Sequence, residues 1–505
     1  MLDRLIVFLR AVFQRLRPEG DLTTQTVKSG VWSVGLNVGN RGLQTLMVVI
    51  LARILGPREF GLMGIALVTY EALTRFSRLG IDRALIQRPE ANIDAYLDTA
   101  WAIRLARGVL LAALLFVGAP AIAWFFDEPR VTLIIRAIAI SPILVGLFNP
   151  SVVYFQKDLD IHKKFAFDMS GAVAEFVVAV SIALVYESVW ALVVGFIVTD
   201  VARLVASYVL HDYRPGLGVD RDQVRELVGY GKWITGSSAI SFLLTSGDDA
   251  VVGRLVSTTA LGYYQLGYRL AKRPTMEISR ALSTVAFPVY SKLQGDPDAL
   301  ASALRRAVRV LSFASFPAAV GIAVTAPSFV AGVLGSQWEP VVPVMQIVAV
   351  YGAFSAFTSV FNDVWNAIGR PDLNTKINAV RLVVTALLVI PATLEYGFVG
   401  TVAVIAGVFV LLVVPIKLHV AVRCVETTHR TLLVELLYPA VASGVMGAVL
   451  LAVRRAVDPG PAVVEFVFLV VLGVVVYLLA VAVLDARSGW KIGSELDTVI
   501  GSIRG

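Results

Sequence analysis

Apolar runs of about 20 residues or more, parted by short polar stretches, recur along almost the whole 505-residue chain. A bilayer core is about 30 Å thick and backbone groups in lipid must hydrogen-bond within their own segment, so each run predicts a membrane-spanning helix. Fourteen are expected, over approximately residues 30–54, 59–83, 97–124, 131–155, 165–186, 189–210, 231–254, 259–287, 301–330, 341–367, 374–395, 398–420, 432–453 and 463–484. Pro120, Pro142, Pro274, Pro317, Pro391 and Pro415 fall inside these runs and mark expected kinks or ends. Gly35 and Gly39 form a Gly-x-x-x-Gly pair in the first run, expected to mark close helix packing rather than a site.

The skeleton of the first run returns once. Gly30, Trp32, Arg53 and Gly61 reappear as Gly231, Trp233, Arg254 and Gly262, each 201 positions later. Glu128-Pro129 recurs as Glu339-Pro340 and Tyr186 as Tyr396, at offsets of 211 and 210. A slowly drifting offset is what duplication followed by loop insertion leaves. The expected fold is an all-α integral membrane protein of about 14 transmembrane helices, in two pseudo-symmetric six-helix bundles (residues 30–210 and 231–420) plus two C-terminal helices (432–484). A cytoplasmic linker (211–230) and a cytoplasmic tail (485–505) complete the organisation. Ahead of the first run, Leu2, Leu5, Ile6, Leu9, Val12, Phe13 and Leu16 recur at helical spacing with Arg10, Gln14 and Arg17 on the other face. Residues 1–29 are therefore expected to hold a basic amphipathic helix on the inner leaflet, not a signal peptide, with a frayed tail as the plain alternative.

Composition narrows the class: 57% apolar and 16% charged residues exclude an ordinary soluble chain of this length. The net charge of +7 would suggest nucleic acid in a soluble protein, but here its distribution reports orientation. With both termini inside, the connections carry 21 Lys and Arg on the cytoplasmic side against six outside, at Arg53, Arg58, Arg130, Arg254, Arg454 and Arg455. The expected setting is the plasma membrane, with both termini cytoplasmic. Cys424 is single, and His162, His211, His419 and His429 stand apart from clusters with ligand spacing, so no disulfide, metal or cofactor is expected. Gly231-Lys232 lacks the remaining residues of a phosphate loop, and no connection has room for an ATPase domain, so no enzyme is expected.

The chemistry then lies in charges within the runs, each costing about 2.5–3.5 kcal/mol near the bilayer centre on insertion scales. Glu71, Arg75, Arg78 and Asp82 share one face of the second run; Arg269, Arg273, Glu277 and Arg280 share one face of the eighth, with Lys272 beside them. With Arg41, which lies deep in the first run, the cations are expected to line one hydrophilic chamber and to bind an anionic head group such as a phosphate on a lipid-linked sugar. Two plainer readings stand beside this. Arg78, Asp82 and Arg280 could be snorkelling anchors, and the cations could merely neutralise Glu71 and Glu277 within one helix. Asp248 and Asp249, whose repeat counterparts are Met47 and Val48, are candidates for a coupling cation or proton, with Glu175 and Asp200 as alternatives.

The stretch Leu51-Ala-Arg-Ile-Leu-Gly-Pro-Arg-Glu-Phe-Gly61 resembles the signature between the first two spans of Wzx-type polysaccharide flippases, in the multidrug/oligosaccharidyl-lipid/polysaccharide exporter superfamily. The resemblance runs through both bundles and the two extra spans. It implies a V-shaped cavity, alternating access, and export of a lipid-linked oligosaccharide to the outer leaflet. It also implies arginines for the substrate head, with Arg41, Arg75 and Arg269 on comparable spans, and an acid for a cation, with Asp248 or Asp249 on the seventh. The implied partners are the lipid-linked sugar, membrane lipid, and glycosyltransferases or a polymerase of the same pathway, with no nucleic acid. A cation- or proton-coupled drug exporter and a non-transporting scaffold of a glycan-assembly complex are the alternatives.

Overall fold

The computed structural model describes residues 39–77, 93–158, 160–456 and 460–488. The amphipathic segment 1–29, Gly35, Arg78, Asp82 and most of the C-terminal tail lie outside the described residues. Among the described residues the regular structure is helical throughout, as the apolar runs require. The chain divides into two compact units, Met1–Arg254 and Leu255–Gly505.

The first unit contains helix 39–54 (α1), Pro57–Phe76 (α2), Asp94–Phe126 (α3), Val131–Ile138 (α4), Ser141–Gly146 (α5), Val152–Lys157 (α6), Ile161–Tyr186 (α7), Trp190–Val209 (α8) and Arg221–Leu255 (α9), whose last residue starts the second unit. The signature between the first two spans acts as a clamp. Leu51, Ala52 and Leu55 are buried, and Pro57 opens α2 where no intrahelical N–H partner exists for it to lose. Arg58 Nη2 then pairs with Glu128 Oε2 at 2.8 Å, and Glu59 Oε2 accepts from the backbone N of Val189 at 2.8 Å, placing a carboxylate at the positive end of α8. One short motif thus fixes the ends of three elements.

The single helix expected over 131–155 is instead three short ones, α4 to α6. Pro142 and Asn149-Pro150 interrupt the run, and the backbones of α3 and α5 touch. A Cβ on Gly108 would overlap the Pro142 carbonyl, and one on Gly146 would stand 2.9 Å from the Arg104 carbonyl oxygen. Gly39 shows no such crowding: its nearest neighbour would be Met169 Sδ at 4.0 Å, an ordinary contact. Residues 211–220 are an extended connection tied to α3, with Asp98 Oδ1 accepting from the Gly216 N at 2.7 Å and from the Tyr213 hydroxyl at 2.6 Å.

The second unit contains Thr258–Lys292 (α10), Pro297–Phe329 (α11) extended by a π turn Val330–Leu334, Val341–Ala367 (α12), Asp372–Val408 (α13), a π turn Phe409–Val413, Val414–Cys424 (α14), His429–Ala456 (α15) and Ala462–Ser488 (α16). Helix α13 reverses at Gly397, whose φ of 61° and ψ of −150° are open to glycine and closed to other residues. The Thr393 and Thr401 hydroxyls meet across the reversal at 2.7 Å, so the break expected between the eleventh and twelfth runs is a helical hairpin. Tyr186 and Tyr396 end corresponding helices and are followed by Glu187 at φ 44° and Gly397 at φ 61°, and each Glu-Pro pair stands just ahead of a helix, α4 or α12.

The last two helices are bound to α11 by charge and by close packing. Glu435 of α15 is fully buried between Arg305 and Arg309, with Arg309 Nε at 2.6 Å. Tyr477 of α16 donates to the Phe313 carbonyl at 2.7 Å, and Arg454 pairs with Glu465 at 3.1 Å between α15 and α16. Among the described residues eight helices are long and apolar enough to cross a membrane, the stretch Asp372–Cys424 counting as one despite its hairpin. Helices α2 and α10 fall short because they carry the charges singled out above.

Candidate functional site

In the first unit, α2 and α9 meet through Phe76 and Phe242, whose rings stand edge to face at 5.2 Å. One turn away, Arg75 Nη2 lies 3.3 Å from Glu71 Oε2 and Arg75 Nη1 reaches Thr245 Oγ1 at 3.3 Å. The intrahelical pair therefore exists, but its side chains remain more than one-third exposed, and such a pair contributes little to stability. Arg41 is half-buried on α1, while Arg53 and Arg254 are exposed, the latter 5.9 Å from the Phe125 ring. Sequence reasoning passed over Arg107. From α3, its Nη2 donates to the Thr74 carbonyl at 2.8 Å and to Ser77 Oγ at 2.9 Å, capping the end of α2.

The four candidate acids separate by environment. Asp200 of α8 is buried and accepts a hydrogen bond from Ser141, with Tyr70 and Arg203 as electrostatic neighbours. Glu175, Asp248 and Asp249 are half-buried. The four stand on three elements: Asp248 and Asp249 on the last two turns of α9, Asp200 on α8, and Glu175 on α7 at its close crossing with Gly195 of α8.

In the second unit, Arg269 and Arg280 are exposed and Arg273 is half-buried, with Arg280 Nη1 3.5 Å from Glu277 Oε1 along α10. Lys272 departs from that stripe. Gly267, Ala271 and Thr275, four residues apart, form the face that packs on α12; a Cβ on Gly267 would meet Val344, and one on Gly352 would meet Thr275. This close crossing sets Tyr268 and Lys272 beside Tyr351. Lys272 Nζ donates to the Tyr268 hydroxyl at 3.1 Å and lies 4.7 Å and 5.3 Å from the Tyr268 and Tyr351 ring centres.

Two further cations join it. Arg381 of α13 stands 5.8 Å from the Tyr351 ring and 5.2 Å from that of Phe409, with its Nε buried and unpartnered among the described residues. Lys417 of α14 is 5% exposed, donates to Asn362 Oδ1 at 3.0 Å, and has Tyr351 and Arg381 as electrostatic neighbours. Among the described residues no carboxylate lies within salt-bridge reach of Lys272, Arg381 or Lys417. The 21 cytoplasmic cations of the sequence count include Lys417, which is instead a buried helical residue inside the run 398–420, about 10 Å from the end of α14. Arg381 sits about 13 Å into α13 and was not singled out, because it has no charged neighbour one turn away to make a stripe. Both signals were present in the sequence as single cations within apolar runs.

Comparison with known proteins places this geometry. A family model described as polysaccharide biosynthesis protein matches residues 50–343, more than half of the chain. The lipopolysaccharide biosynthesis protein WzxC of Escherichia coli (strain K12) is 26% identical over 389 residues, covering 76% of this chain and 78% of that protein. The succinoglycan biosynthesis transport protein ExoT of Rhizobium meliloti (strain 1021) is 26% identical over 353 residues, with coverage of 69% and 71%. Among solved structures, the lipid II flippase MurJ in an inward closed conformation superposes with a TM-score of 0.72 at 14% identity, over 90% of this chain and 99% of that one. At that identity the likeness speaks for the fold alone. The chain, an all-α multi-pass membrane protein, belongs to the polysaccharide biosynthesis protein family.

Proposed function

We propose that this protein is a flippase that moves a lipid-linked oligosaccharide from the cytoplasmic to the outer leaflet for surface polysaccharide assembly, with both termini in the cytoplasm of a plasma membrane. The observation that carries this reading is the family match, together with relatives named for polysaccharide biosynthesis and transport. The chemistry of the spans supports it. Helices α2 and α10 carry several cations along their length, and guanidinium groups remain charged when desolvated and match phosphate oxygens. Arg41, Arg75, Arg269, Lys272, Arg273 and Arg280 are the side chains assigned to the anionic head, together with Arg78, which the sequence places three residues after Arg75. Glu71 orients Arg75.

A drug exporter for cationic substrates would place acids where this chain places Arg and Lys, so the anionic substrate is favoured. For coupling, Asp200 is the strongest of the four acids, since its carboxylate is buried, with the Ser141 hydroxyl donating to it and Arg203 nearby. Enzymes that build and polymerise the glycan are the expected partners.

The test is an Arg41→Ala, Arg269→Ala double variant expressed at the wild-type level in a strain lacking the chromosomal copy. Surface glycan is expected to fail and its lipid-linked precursor to accumulate. Normal glycan display would count against the reading.

A further inference from the structure

We propose that Lys272, Arg381 and Lys417, gathered around Tyr351, form an anion-binding site inside the C-terminal unit that takes a phosphate or pyrophosphate group. Each cation comes from a different helix, and two of the three lie outside α10. Lys272 and Arg381 both stand within 6 Å of the Tyr351 ring centre, while Lys417 is buried behind them on Asn362.

Three features make this a site rather than three packed side chains. Buried cations are ordinarily matched by carboxylates, and the same unit does so at Glu435, yet here the described residues supply only aromatic faces, a phenol and an amide oxygen. A polyvalent anion would supply the missing countercharge and would also take up the unpartnered Nε of Arg381. Access exists from the side of Lys272 and Arg381, which are only partly buried.

The third feature is the backbone. Pro415 has no N–H for the Leu411 carbonyl, and the π turn Phe409–Val413 precedes it, bringing the Phe409 ring to within 4.8 Å of Tyr351 and Lys417 into the same neighbourhood. Interrupted helices in membranes are tolerated where they border a polar cavity or a ligand.

Two sources could present this chemistry: the phosphate that links sugar to lipid in the proposed substrate, or the head group of an anionic membrane lipid. The first source rests on the flippase reading, whereas the site itself does not.

The test uses the full chain in phosphatidylcholine nanodiscs and radiolabelled inorganic pyrophosphate, at constant ionic strength, with wild type, Lys417→Met, Arg381→Gln and, as a charge-matched control, the exposed Arg130→Gln. Lys417→Met keeps side-chain length and removes only the buried charge, so it is expected to fold. Wild type and Arg130→Gln should bind alike, and Lys417→Met and Arg381→Gln should each weaken binding on the order of tenfold or more, as loss of a charge-assisted contact predicts. Absence of wild-type binding, or binding by both site variants within twofold of wild type, would overturn the site.

Repeating the assay in nanodiscs containing phosphatidylglycerol separates the sources: competition by the lipid assigns the site to membrane head groups, and undiminished binding assigns it to the substrate linker. Neither arm requires glycan export. If deleting the gene leaves surface glycan unchanged, the transport reading falls and the pyrophosphate result still decides the site.

Discussion

The C-terminal unit handles buried charge in two ways. At Glu435 the account is closed: one fully buried carboxylate receives Arg309 through two nitrogens, at 2.6 and 2.9 Å, and Arg305 from a more exposed position. Around Tyr351 it is open: Lys272, Arg381 and Lys417 converge with no carboxylate among the described residues. The closed set joins α11 to α15 and holds the C-terminal helix pair in place, which is an architectural task. The open set meets its charge only with aromatic faces and hydrogen bonds to Tyr268 and Asn362 among the described residues, and a buried cation without a countercharge costs free energy. A bound anion would offset that cost.

The contrast is broken most directly at its closed end. Glu435→Ala leaves Arg309 buried without its partner, a loss of about 3–5 kcal/mol. The purified variant should melt far below wild type or fail to give a monodisperse peak on size exclusion. A melting temperature within a degree or two of wild type would mean that this ion pair does not secure the helix pair.

The geometry that delivers two of the three open cations depends on the reversal at Gly397. Gly397→Ala forces a Cβ into a conformation that only glycine adopts readily, at a cost of about 1–3 kcal/mol. Nothing lies within 4 Å of that Cβ, so the cost is conformational, and thermal melting should report it without loss of fold. Unchanged stability would show that the hairpin tolerates another backbone path.

Arg305→Ala should cost less, about 1 kcal/mol, since its side chain is half exposed and Glu435 keeps Arg309. A shift as large as that of Glu435→Ala would contradict the division of labour between the two arginines.

The smallest expected effect lies outside the membrane. His211 stacks on Tyr154 at 5.9 Å and its Nδ1 accepts from the Tyr213 backbone N at 3.1 Å, and burial, aided by Lys163, pushes its pKa below the ordinary value. A depressed pKa on a base means that folding favours the neutral ring. Its contribution is therefore complete above the unfolded value of about 6.5 and is lost as pH falls through the lower folded value. Hydrogen exchange in residues 211–220 should quicken between pH 7.5 and 5.5 beyond the intrinsic pH effect, and in a His211→Gln variant that excess should vanish.

Much of the fold was legible in the apolar runs, because lipid leaves a backbone few choices and short connections force successive helices together. Tyr186 and Tyr396 are each followed by a residue of positive φ, but Glu187 is left-handed helical whereas Gly397, with ψ of −150°, adopts a conformation open to glycine alone. Pro142 was expected to mark a kink or end in the run 131–155, but its division into three short helices escaped, because the run remains apolar and only Asn149-Pro150 marks the second break. At the candidate site, periodicity along single helices found the α2 and α10 stripes, and with them the pairs Arg75–Glu71 and Arg280–Glu277. It could not find Arg381 and Lys417, because their relation to Lys272 exists only after α10, α12, α13 and α14 have packed. For the same reason Lys272 was grouped with its helical neighbours, when its actual company is Tyr268 and Tyr351. The signature Leu51 to Gly61 located the family, and two of its charged residues, Arg58 and Glu59, turn out to fix helix ends.

The most direct measurement is the melting temperature of Lys417→Met against wild type in buffer free of phosphate and pyrophosphate. If Lys417 is held ready for an anion, removing its charge relieves an unmet desolvation cost, and the variant melts at or above the wild-type temperature. If Lys417 instead belongs to the architecture, the variant melts several degrees lower, as Glu435→Ala does, and the contrast between the open and closed charge sets is lost.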